Sequence, residues 1–266
     1  MIKKYLVIGN PVEHSISPKI HNYWFNKNKI NATYDKKNLK EENFEKLVKS
    51  IRDGELAGAN ITVPFKEKII PFLDILSVEA EKANSVNTVF LKDNRIVGHN
   101  TDIAGFYLSL KNKELDLKEK NVLILGTGGV TPSIIIALKK LGLENITVSN
   151  RTKSKAIKLK ERFNNLKILD WGKTKKVDFI INSTSLGLKE TDIIELDYKI
   201  LEPNTFFYDV IYNPQETNFL KGARKNGHNT QNGLMMFIYQ AAEAFKMWHG
   251  IKPEIDNKLI NFISND

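Results

Sequence analysis

Two motifs in the first hundred residues carry side chains that could move a proton. Lys66 ends the run at 60–66, Asn-Ile-Thr-Val-Pro-Phe-Lys, and Asp102 ends the run at 98–102, Gly-His-Asn-Thr-Asp. An ammonium beside a carboxylate can act as an acid–base pair, in which the carboxylate holds and orients the lysine. A lone lysine is more often a solvated surface group. Because both residues occupy loop positions beside a cofactor-type fold, we predict that Lys66 and Asp102 form such a pair.

A second group of polar side chains follows the first predicted strand. The run at 9–18, Gly-Asn-Pro-Val-Glu-His-Ser-Ile-Ser-Pro, places the hydroxyls of Ser15 and Ser17 at the start of a helix. Hydroxyl donors beside the positive end of a helix suit a small carboxylate. The alternative is that Ser17 simply caps the helix and Ser15 is a turn residue. His14 and His21 have no carboxylate array near them, so no metal site is predicted.

A glycine-rich turn begins the second half of the chain. The apolar strand 121–125 leads into Gly126, Thr127, Gly128, Gly129 and Val130, and a helix follows. Gly126 would make the tight turn, and Gly128 would let the backbone approach a pyrophosphate at the helix N-terminus. Such turns also occur without ligands. Thr131 stands where the dinucleotide fingerprint has Gly or Ala, and we expect it to loosen the packing of the helix.

The residues at the end of the next strand distinguish an NAD site from an NADP site. An NAD site has an acidic residue about 20 residues after the first glycine, where it binds the ribose hydroxyls. This chain has Asn150, Arg151 and Thr152 there, with Lys155 close behind. Arg and Lys can instead bind the 2′-phosphate of NADP. The alternative is that Arg151 and Lys155 are surface residues at the start of a helix without a ligand. However, cations are unfavourable at that end of a helix unless an anion is bound. We therefore predict NADP.

The elements that must position these residues alternate between short β-branched runs and longer amphipathic stretches, which is typical of an α/β protein with a largely parallel sheet. Predicted strands are Tyr5–Ile8, Thr33–Lys37, Gly58–Thr62, Asn87–Leu91, Arg95–Gly98, Asn121–Leu125, Asn145–Ser149, Val177–Ile181 and Phe206–Val210. Predicted helices begin at Ser17 and at Asp102, which would cap a helix through Leu110, and span Glu41–Arg52, Pro132–Leu141, Lys153–Arg162, Leu234–Trp248 and Pro253–Ile263. We therefore predict two α/β domains flanking a cleft, the second a Rossmann-type dinucleotide-binding domain.

Composition excludes several classes of protein. The 266 residues include no cysteine, which rules out disulfide frameworks, thiolate zinc sites and cysteine nucleophiles. No run approaches the roughly 18 apolar residues of a membrane span, and the segment after Met1 is too short for a signal peptide, so we expect a soluble cytoplasmic protein. The net charge is +9, but the densest basic stretch, 151–176, has helical spacing that indicates a solvated face. No nucleic-acid partner is predicted.

Taken together, these motifs resemble the NADP-dependent shikimate dehydrogenase family, and the resemblance covers nearly the whole chain. It also draws on the runs His21-Asn22, Val86-Asn87-Thr88, Asn182-Ser-Thr-Ser-Leu-Gly187, Asp209-Val-Ile-Tyr-Asn-Pro214 and Gly233-Leu-Met-Met236, with Gln240 beyond. It implies a substrate-binding domain of residues 1–101 plus 233–266 and an NADP-binding Rossmann domain of residues 102–232. The implied reaction is reversible reduction of 3-dehydroshikimate to shikimate, a step of aromatic amino acid biosynthesis, by a monomer or homodimer.

The resemblance also implies a role for each matching residue. Lys66 would be the catalytic acid and base, and Asp102 its partner, also touching a substrate hydroxyl. The other substrate contacts would be Ser15, Ser17 and Tyr212 to the carboxylate, and Thr62, Asn87 and Gln240 to the ring hydroxyls. The cofactor contacts would be Gly126, Thr127, Gly128, Gly129 and Val130 to the pyrophosphate, Asn150, Arg151, Thr152 and Lys155 to the adenosine ribose phosphate, and Val210 and Gly233 to the nicotinamide.

The chain departs from the family pattern at three places. Thr127, Val130 and Thr131 replace smaller residues of the glycine-rich loop, so we expect cofactor affinity to differ. Asn84 and Ser85 stand where Gly-Ala is usual, and Ser183 and Ser185 where Ala and Pro are usual.

The sequence leaves three alternative functions open: a quinate/shikimate dehydrogenase with relaxed substrate or cofactor choice, a catalytically silent NADP-binding regulator and a basic nucleic-acid binder. The presence of both Lys66 and Asp102 argues against a silent protein.

Overall fold

A computed structural model describes residues 2–113, 115, 117 and 119–264. The chain divides into two compact units: unit 1 is Met1–Gly105 with Ile238–Asp266, and unit 2 is Phe106–Phe237. The boundaries at 105 and 238 lie a few residues beyond the predicted boundaries at 101 and 233. The end of the chain therefore belongs to the unit that its beginning forms, an arrangement that hydrophobic periodicity alone does not reveal.

The strands are β1 (Lys3–Gly9), β2 (Ala32–Asn38), β3 (Gly58–Ile61), β4 (Ile75–Leu76), β5 (Thr88–Lys92), β6 (Arg95–His99), β7 (Asn121–Leu125), β8 (Asn145–Ser149), β9 (Lys167–Leu169), β10 (Phe179–Asn182), β11 (Phe206–Asp209) and β12 (Asn229–Gln231). The helices are α1 (Ser17–Lys27), α2 (Phe44–Arg52), α3 (Val78–Ala83), α4 (Asp102–Lys111), α5 (Thr131–Lys140), α6 (Lys153–Arg162), α7 (Asn218–Lys225), α8 (Leu234–His249) and α9 (Asn257–Ser264). Among the described residues, no helix has the length and apolarity that a membrane span requires.

The sheet of unit 1 has the order β2-β1-β3-β5-β6-β4. β1 is parallel to β2 and β3, whereas β5 is antiparallel to both of its neighbours. Three of the five strand pairs described for this sheet are parallel, and both antiparallel pairs involve β5. The cause is the β5–β6 hairpin, whose turn residues Asp93 and Asn94 adopt φ values of 49° and 58°, the left-handed conformation that tight hairpins need. As a result, β5 starts where β3 ends.

Unit 1 buries an apolar layer on each face of this sheet. The spacing of Phe44, Leu47, Val48 and Ile51 puts one face of α2 into a cluster with Ile8, Ile61 and Val89. On α1, Trp24 packs against Phe245 of α8, with ring centroids 5.5 Å apart. Each such buried side chain contributes roughly 1.5–3 kcal/mol. The packing holds α8 in unit 1 and fixes the register of the polar residues that it carries.

The sheet of unit 2 has the order β12-β11-β10-β7-β8-β9 with every pair parallel. If β7 to β12 are renumbered 1 to 6, the order is 6-5-4-1-2-3, which is the Rossmann order. The predicted α/β class with a Rossmann-type second half is confirmed. In this order the chain changes direction beside β7, so the strand ends of β7 and β10 border the crevice where such sheets bind ligands.

Short elements escaped the sequence prediction. The strands β4, β9 and β12 have two or three residues, too few for a visible alternation. Helix α7 was also missed, although Thr217 caps it by accepting a hydrogen bond from the N–H of Leu220. Helix α9 begins at Asn257 rather than at the predicted Pro253. Its first turn is instead held by Asp256, which accepts from the N–H of Leu259 at 2.8 Å.

Candidate active site

The first candidate site lies at the carboxyl ends of β1 and β3. These strands are parallel neighbours, yet the chain leaves β1 for β2 on the far side, so the edge between them is a switch point. The loops that follow touch: Asn10 N donates to Val63 O at 3.1 Å. A Cβ on Gly9 would lie 2.6 Å from Cγ2 of Thr62, so glycine permits this approach. The loops that carry Ser15 and Lys66 thus share one edge.

Ser15 and Ser17 lie together at the beginning of α1. Their hydroxyl oxygens are 3.1 Å apart, and Ser17 N donates to Ser15 Oγ at 3.3 Å. The helix starts at Ser17 itself, and the preceding Ile16 offers no side-chain cap. The alternative that Ser17 is the capping residue is therefore wrong. Two adjacent hydroxyls at the positive end of a helix can donate to one anionic group.

Lys66 and Asp102 form a close ion pair. The distance from Nζ to Oδ2 is 2.6 Å, and the two side chains are only 12% and 7% exposed. Asp102 is the first residue of α4 rather than its cap, because Asn100 Oδ1 accepts from Ile103 N at 3.3 Å. Its carboxylate is thereby left to hold the lysine. An ammonium fixed in this way can donate a proton to an oxygen that becomes negative during a reaction.

Asn87 is fixed beside this pair by hydrogen bonds to both ends of its amide. Its Oδ1 accepts from Thr101 N at 2.8 Å and from Thr88 Oγ1 at 3.0 Å. Its Nδ2 donates to Asp102 Oδ1 at 3.0 Å. Because the oxygen is held by two donors, the amide cannot flip without leaving buried groups unpaired. The carboxylate of Asp102 therefore binds Asn87 through one oxygen and Lys66 through the other.

A further layer of buried polar residues supports Asn87. Asn60 Nδ2 donates to Thr88 Oγ1 at 3.1 Å, and Tyr34 Oη donates to Asn60 Oδ1 at 2.6 Å. The antiparallel start of β5 brings these groups together, since Asn60 is directly opposite Thr88. Sequence reasoning assigned them no role. The available signal was a polar Asn60 within a strand whose other residues are apolar, because such a residue needs partners when it is buried.

Gln240 reaches the same cluster from α8. Its Oε1 lies 3.4 Å from Asn87 Nδ2 and 3.4 Å from Thr101 Oγ1. Thr62 is half-buried at the end of β3, where its backbone N–H donates to Ile8 O at 2.8 Å. Unit 1 therefore assembles most of the residues predicted to bind substrate. Tyr212, the remaining one, belongs to unit 2.

The second candidate site is the glycine-rich loop after β7. Gly126 has φ +104°, and a Cβ there would lie 2.9 Å from Ser183 Oγ, so glycine is required. Gly128 is exposed, and no atom other than Ser183 O, at 3.9 Å, lies near the position of an added Cβ. The hydroxyl oxygen of Thr127 is buried and has no hydrogen-bond partner among the described residues. An open backbone and an orphaned hydroxyl at the start of α5 fit a pyrophosphate.

Thr131 does not loosen the packing of α5, so that expectation is wrong. Its side chain is fully buried, and Oγ1 lies 3.3 Å from Gly126 O and 3.0 Å from Ser183 Oγ. The methyl group fills space that a smaller residue would leave, while the hydroxyl has partners.

The end of β8 presents exposed cations. Asn150 Nδ2 donates to Thr152 O at 2.9 Å and closes the turn before α6. Arg151 and Lys155 are exposed, and neither pairs with a carboxylate in the described part of the chain. Lys153, by contrast, binds Asp170 at 2.8 Å. Two uncommitted cations at a helix N-terminus fit a phosphate group.

Val210 and Gly233 are in direct backbone contact at the end of β11. A Cβ on Gly233 would lie 2.1 Å from Val210 O, and Gly233 N donates to Ile211 O at 3.0 Å. Nearby, the ring of Tyr212 packs on Phe237 at 4.7 Å. Burial raises the pKa of Tyr212 to about 12, so its phenol is neutral and can donate a hydrogen bond to a carboxylate.

Asp209 anchors this segment, a role that its place in the run Asp209–Pro214 did not reveal. Its carboxylate accepts from Thr217 Oγ1 at 2.6 Å, from Ile211 N at 3.0 Å and from Asn182 Nδ2 at 3.0 Å. Burial raises its pKa to about 6, although these donors favour the charged form. Asp209 thus ties the loop after β11 to the end of β10.

The chain matches three family models. Residues 7–89 match the shikimate dehydrogenase substrate binding domain, residues 108–197 match shikimate / quinate 5-dehydrogenase, and residues 233–257 match the shikimate 5'-dehydrogenase C-terminal domain. The three matches follow one another along the chain and together cover most of it.

Three known proteins are similar over almost their entire length. Shikimate dehydrogenase (NADP(+)) from Pelagibacter ubique is 57% identical over 263 residues, which are 99% of each chain. The crystal structure of shikimate dehydrogenase from Aquifex aeolicus has 36% identity and a TM-score of 0.90, covering 100% of this chain and 98% of that one. Shikimate 5-dehydrogenase from Thermus thermophilus, solved with NADP(H) and shikimate, has 32% identity and a TM-score of 0.89, covering 99% and 98%.

Proposed function

Because the chain belongs to the shikimate dehydrogenase family, we propose that it catalyses the reversible reduction of 3-dehydroshikimate to shikimate with NADPH. This is a step of aromatic amino acid and chorismate biosynthesis. The observation that carries the proposal is the Lys66–Asp102 ion pair, 2.6 Å long and largely shielded from water, at the same sheet edge as Ser15 and Ser17. An acid–base pair beside an anion site is what a keto acid substrate requires.

Lys66 is the group that handles the proton. When the ketone is reduced, its oxygen gains negative charge, and Lys66 Nζ–H donates to that oxygen. In the oxidation of shikimate, the same nitrogen accepts the proton of the hydroxyl. Asp102 keeps Nζ in place and, through the oxygen that faces Asn87, can also accept from a substrate hydroxyl. Bound NADPH supplies the hydride.

Substrate recognition divides between charge and hydroxyl contacts. Ser15 and Ser17 donate to the carboxylate at the N-terminus of α1, and the neutral phenol of Tyr212 is a third donor. Thr62, Asn87 and Gln240 bind the ring hydroxyls. Asn87 and Gln240 suit this role because their amides are already held in one orientation by the surrounding hydrogen bonds.

Cofactor recognition rests on the loop after β7 and the turn after β8. Gly126, Thr127, Gly128, Gly129 and Val130 hold the pyrophosphate, and Asn150, Arg151, Thr152 and Lys155 hold the ribose phosphate of the adenosine half. The absence of a carboxylate at positions 150–152 favours NADP over NAD. Val210 and Gly233, which are in backbone contact, border the nicotinamide.

The proposal is tested by measuring reduction of NADP⁺ in the presence of shikimate, with quinate and NAD⁺ as the alternative substrate and cofactor. We expect turnover with shikimate and NADP⁺ and much lower kcat/KM in the other combinations. Comparable turnover with quinate would instead support a quinate/shikimate dehydrogenase, which the description of the matched family model for residues 108–197 also names. No turnover with either substrate would contradict the proposal.

We further propose a cytoplasmic protein that acts as a monomer or homodimer without a nucleic-acid partner. Several lysines that contribute to the +9 charge are balanced locally, including Lys49 by Asp53 and Lys68 by Glu41. Lysines balanced in this way do not form the continuous basic surface that nucleic-acid binding requires. Salt-sensitive binding of duplex DNA at physiological ionic strength would contradict this part of the proposal.

A further inference from the structure

The glycine-rich loop is tied to the neighbouring strand end by a pair of buried hydroxyls. Thr131, in the first turn of α5, and Ser183, directly after β10, have their hydroxyl oxygens 3.0 Å apart. Ser183 Oγ donates to Leu125 O at 2.8 Å, and Thr131 Oγ1 lies 3.3 Å from Gly126 O. The pair therefore contacts the two residues at which β7 turns into the loop.

The two hydroxyls form a small network of three contacts, to Leu125 O, to Gly126 O and to each other. Each hydroxyl has one proton to donate and can also accept, so the two residues share these contacts rather than each serving one alone. Removing either hydroxyl abolishes two of these three contacts, the one between the hydroxyls and the one to a backbone oxygen, which is unfavourable at a buried site.

We propose that Thr131 and Ser183 are positioning residues for the nucleotide: their hydroxyl pair holds the Gly126–Val130 loop in the conformation that receives the pyrophosphate. Three further contacts support this role. Gly126 N donates to Ser149 O at 2.8 Å and Thr131 N donates to Gly128 O at 3.0 Å, so the loop is held at both ends. Ser183 Oγ also occupies the space beside Gly126 that a Cβ would need.

This inference rests on the proposed function, since it assumes that the loop binds NADP(H). A loop that is already in its binding conformation loses less entropy when the ligand binds. Loss of the hydroxyl pair should therefore weaken cofactor binding while leaving the acid–base pair of unit 1 unchanged. The predicted signature is a change in affinity for NADP⁺ with little change in kcat.

The test uses Thr131→Val, which keeps the shape of the side chain, and Ser183→Ala. NADP⁺ affinity is measured by isothermal titration calorimetry, and kcat and both KM values by steady-state assay. We expect the Kd for NADP⁺ to rise about tenfold in each variant, the magnitude typical of one buried hydrogen bond. At saturating cofactor, kcat and the KM for shikimate should stay within about twofold of the wild type. Thr131→Ser should restore most of the affinity.

The double variant tests whether the two residues act as one unit. If they do, combining Thr131→Val with Ser183→Ala weakens NADP⁺ binding little more than either change alone. A loss equal to the product of the two single effects would mean that each hydroxyl acts separately and would overturn the pairing.

Thr205→Val is the matched control. Thr205 is 2% exposed, and its hydroxyl oxygen lies within hydrogen-bond distance of two backbone oxygens, Glu202 O at 2.8 Å and Val177 O at 3.2 Å. It precedes β11 and so lies at the opposite end of the sheet from the loop. Thr205→Val should lower Tm about as much as Thr131→Val does, but leave the Kd for NADP⁺ unchanged.

Unchanged NADP⁺ affinity in Thr131→Val and Ser183→Ala, or an equal loss in Thr205→Val, would overturn the inference. If Thr131→Val does not fold, the smaller change Ser183→Ala carries the same test. The proposed function fails separately: wild-type protein that binds NADP⁺ but does not oxidise shikimate would contradict the activity, while the calorimetric comparison would still decide the role of the hydroxyl pair.

Discussion

The two candidate sites are built in opposite ways. In unit 1 the functional side chains are buried and hydrogen-bonded to one another, from Tyr34 through Asn87 to the Lys66–Asp102 pair. In unit 2 the site consists of backbone at Gly126–Val130 and of exposed cations at Arg151 and Lys155. A small polyhydroxylated ring must be held in one orientation, and this requires fixed side chains. A long dinucleotide can be bound by backbone amides and surface charge.

The comparison predicts that substitutions in the two units have separable effects. Changes in unit 1 should alter kcat or the KM for shikimate, and changes at the unit 2 site should alter cofactor affinity.

The largest effect is expected for Lys66→Ala, because it removes the proton donor. The rate should fall by about 10²–10⁴-fold, the usual contribution of a general acid or base, while the KM for shikimate changes little. Lys68→Ala, at an exposed lysine paired with Glu41, is the control. Wild-type turnover in Lys66→Ala would contradict the assigned role.

The next largest effect is expected when Arg151→Ala is combined with Lys155→Ala. If these cations bind the 2′-phosphate, the KM for NADP⁺ should rise about 100-fold, because charge-assisted hydrogen bonds are lost. The KM for NAD⁺, which lacks this phosphate, should hardly change. Lys153→Ala, at a lysine already paired with Asp170, should leave both values near wild type. An equal rise in KM for NADP⁺ and NAD⁺ would mean that the two cations do not bind the 2′-phosphate.

His21 offers a test of how rigid the interior of unit 1 is. The ring is fully buried, stacks on Tyr34 at 4.3 Å, and has its pKa lowered to about 3 by burial and by the nearby His249. Below the ordinary histidine pKa of about 6.5, His21 binds a proton in the unfolded chain but not in the folded chain. The free energy of unfolding therefore falls as the pH drops below about 6.5. His21→Phe removes this loss.

The free energy of unfolding of His21→Phe should therefore gain about 2 kcal/mol relative to wild type between roughly pH 7.5 and pH 5. Urea unfolding at the two pH values measures this difference. His14→Phe, at an exposed position of the same unit, should show no such gain. A constant difference between His21→Phe and wild type would indicate that His21 takes up a proton in the folded protein.

The smallest effect is expected for Thr88→Val, which removes one of the donors that orient the amide of Asn87 and leaves Thr101 N. With one neutral hydrogen bond lost, kcat/KM for shikimate should fall about tenfold while the KM for NADP⁺ stays constant. Thr88→Ser, which keeps the hydroxyl, should recover most of the activity. Equal effects on the kinetic constants for shikimate and NADP⁺ would contradict the expectation that changes in unit 1 leave cofactor binding unchanged.

Much of this organisation was accessible from the sequence. The glycine-rich turn, the missing acidic residue near Arg151 and the proximity of Lys66 to Asp102 follow from local motifs and from the rule that strand ends share a sheet edge. The parallel sheet of unit 2 follows from its regular alternation of strands and helices, and its Rossmann type was predicted from the glycine-rich turn.

Other features depend on long-range contacts that no local pattern encodes. The pairing of β5 with β3 decides that Thr88 lies opposite Asn60, and this pairing gives Asn87 its orientation. Gln240 joins the cluster across 153 residues of sequence. The role of Thr131 was misjudged for the same reason, because its partner Ser183 lies 52 residues away and only the folded sheet brings the two hydroxyls together.

Hydride transfer to the ketone carbon, with Lys66 as proton donor, is tested by an isotope-transfer experiment with wild-type protein and Lys66→Ala. NADPH deuterated at both positions of the nicotinamide C4 is incubated with 3-dehydroshikimate, and the product is examined by mass spectrometry and NMR. We expect wild-type protein to yield shikimate with one deuterium at the former ketone carbon, and Lys66→Ala to yield at most a trace. Shikimate without deuterium, or equal product from the variant, would contradict this expectation.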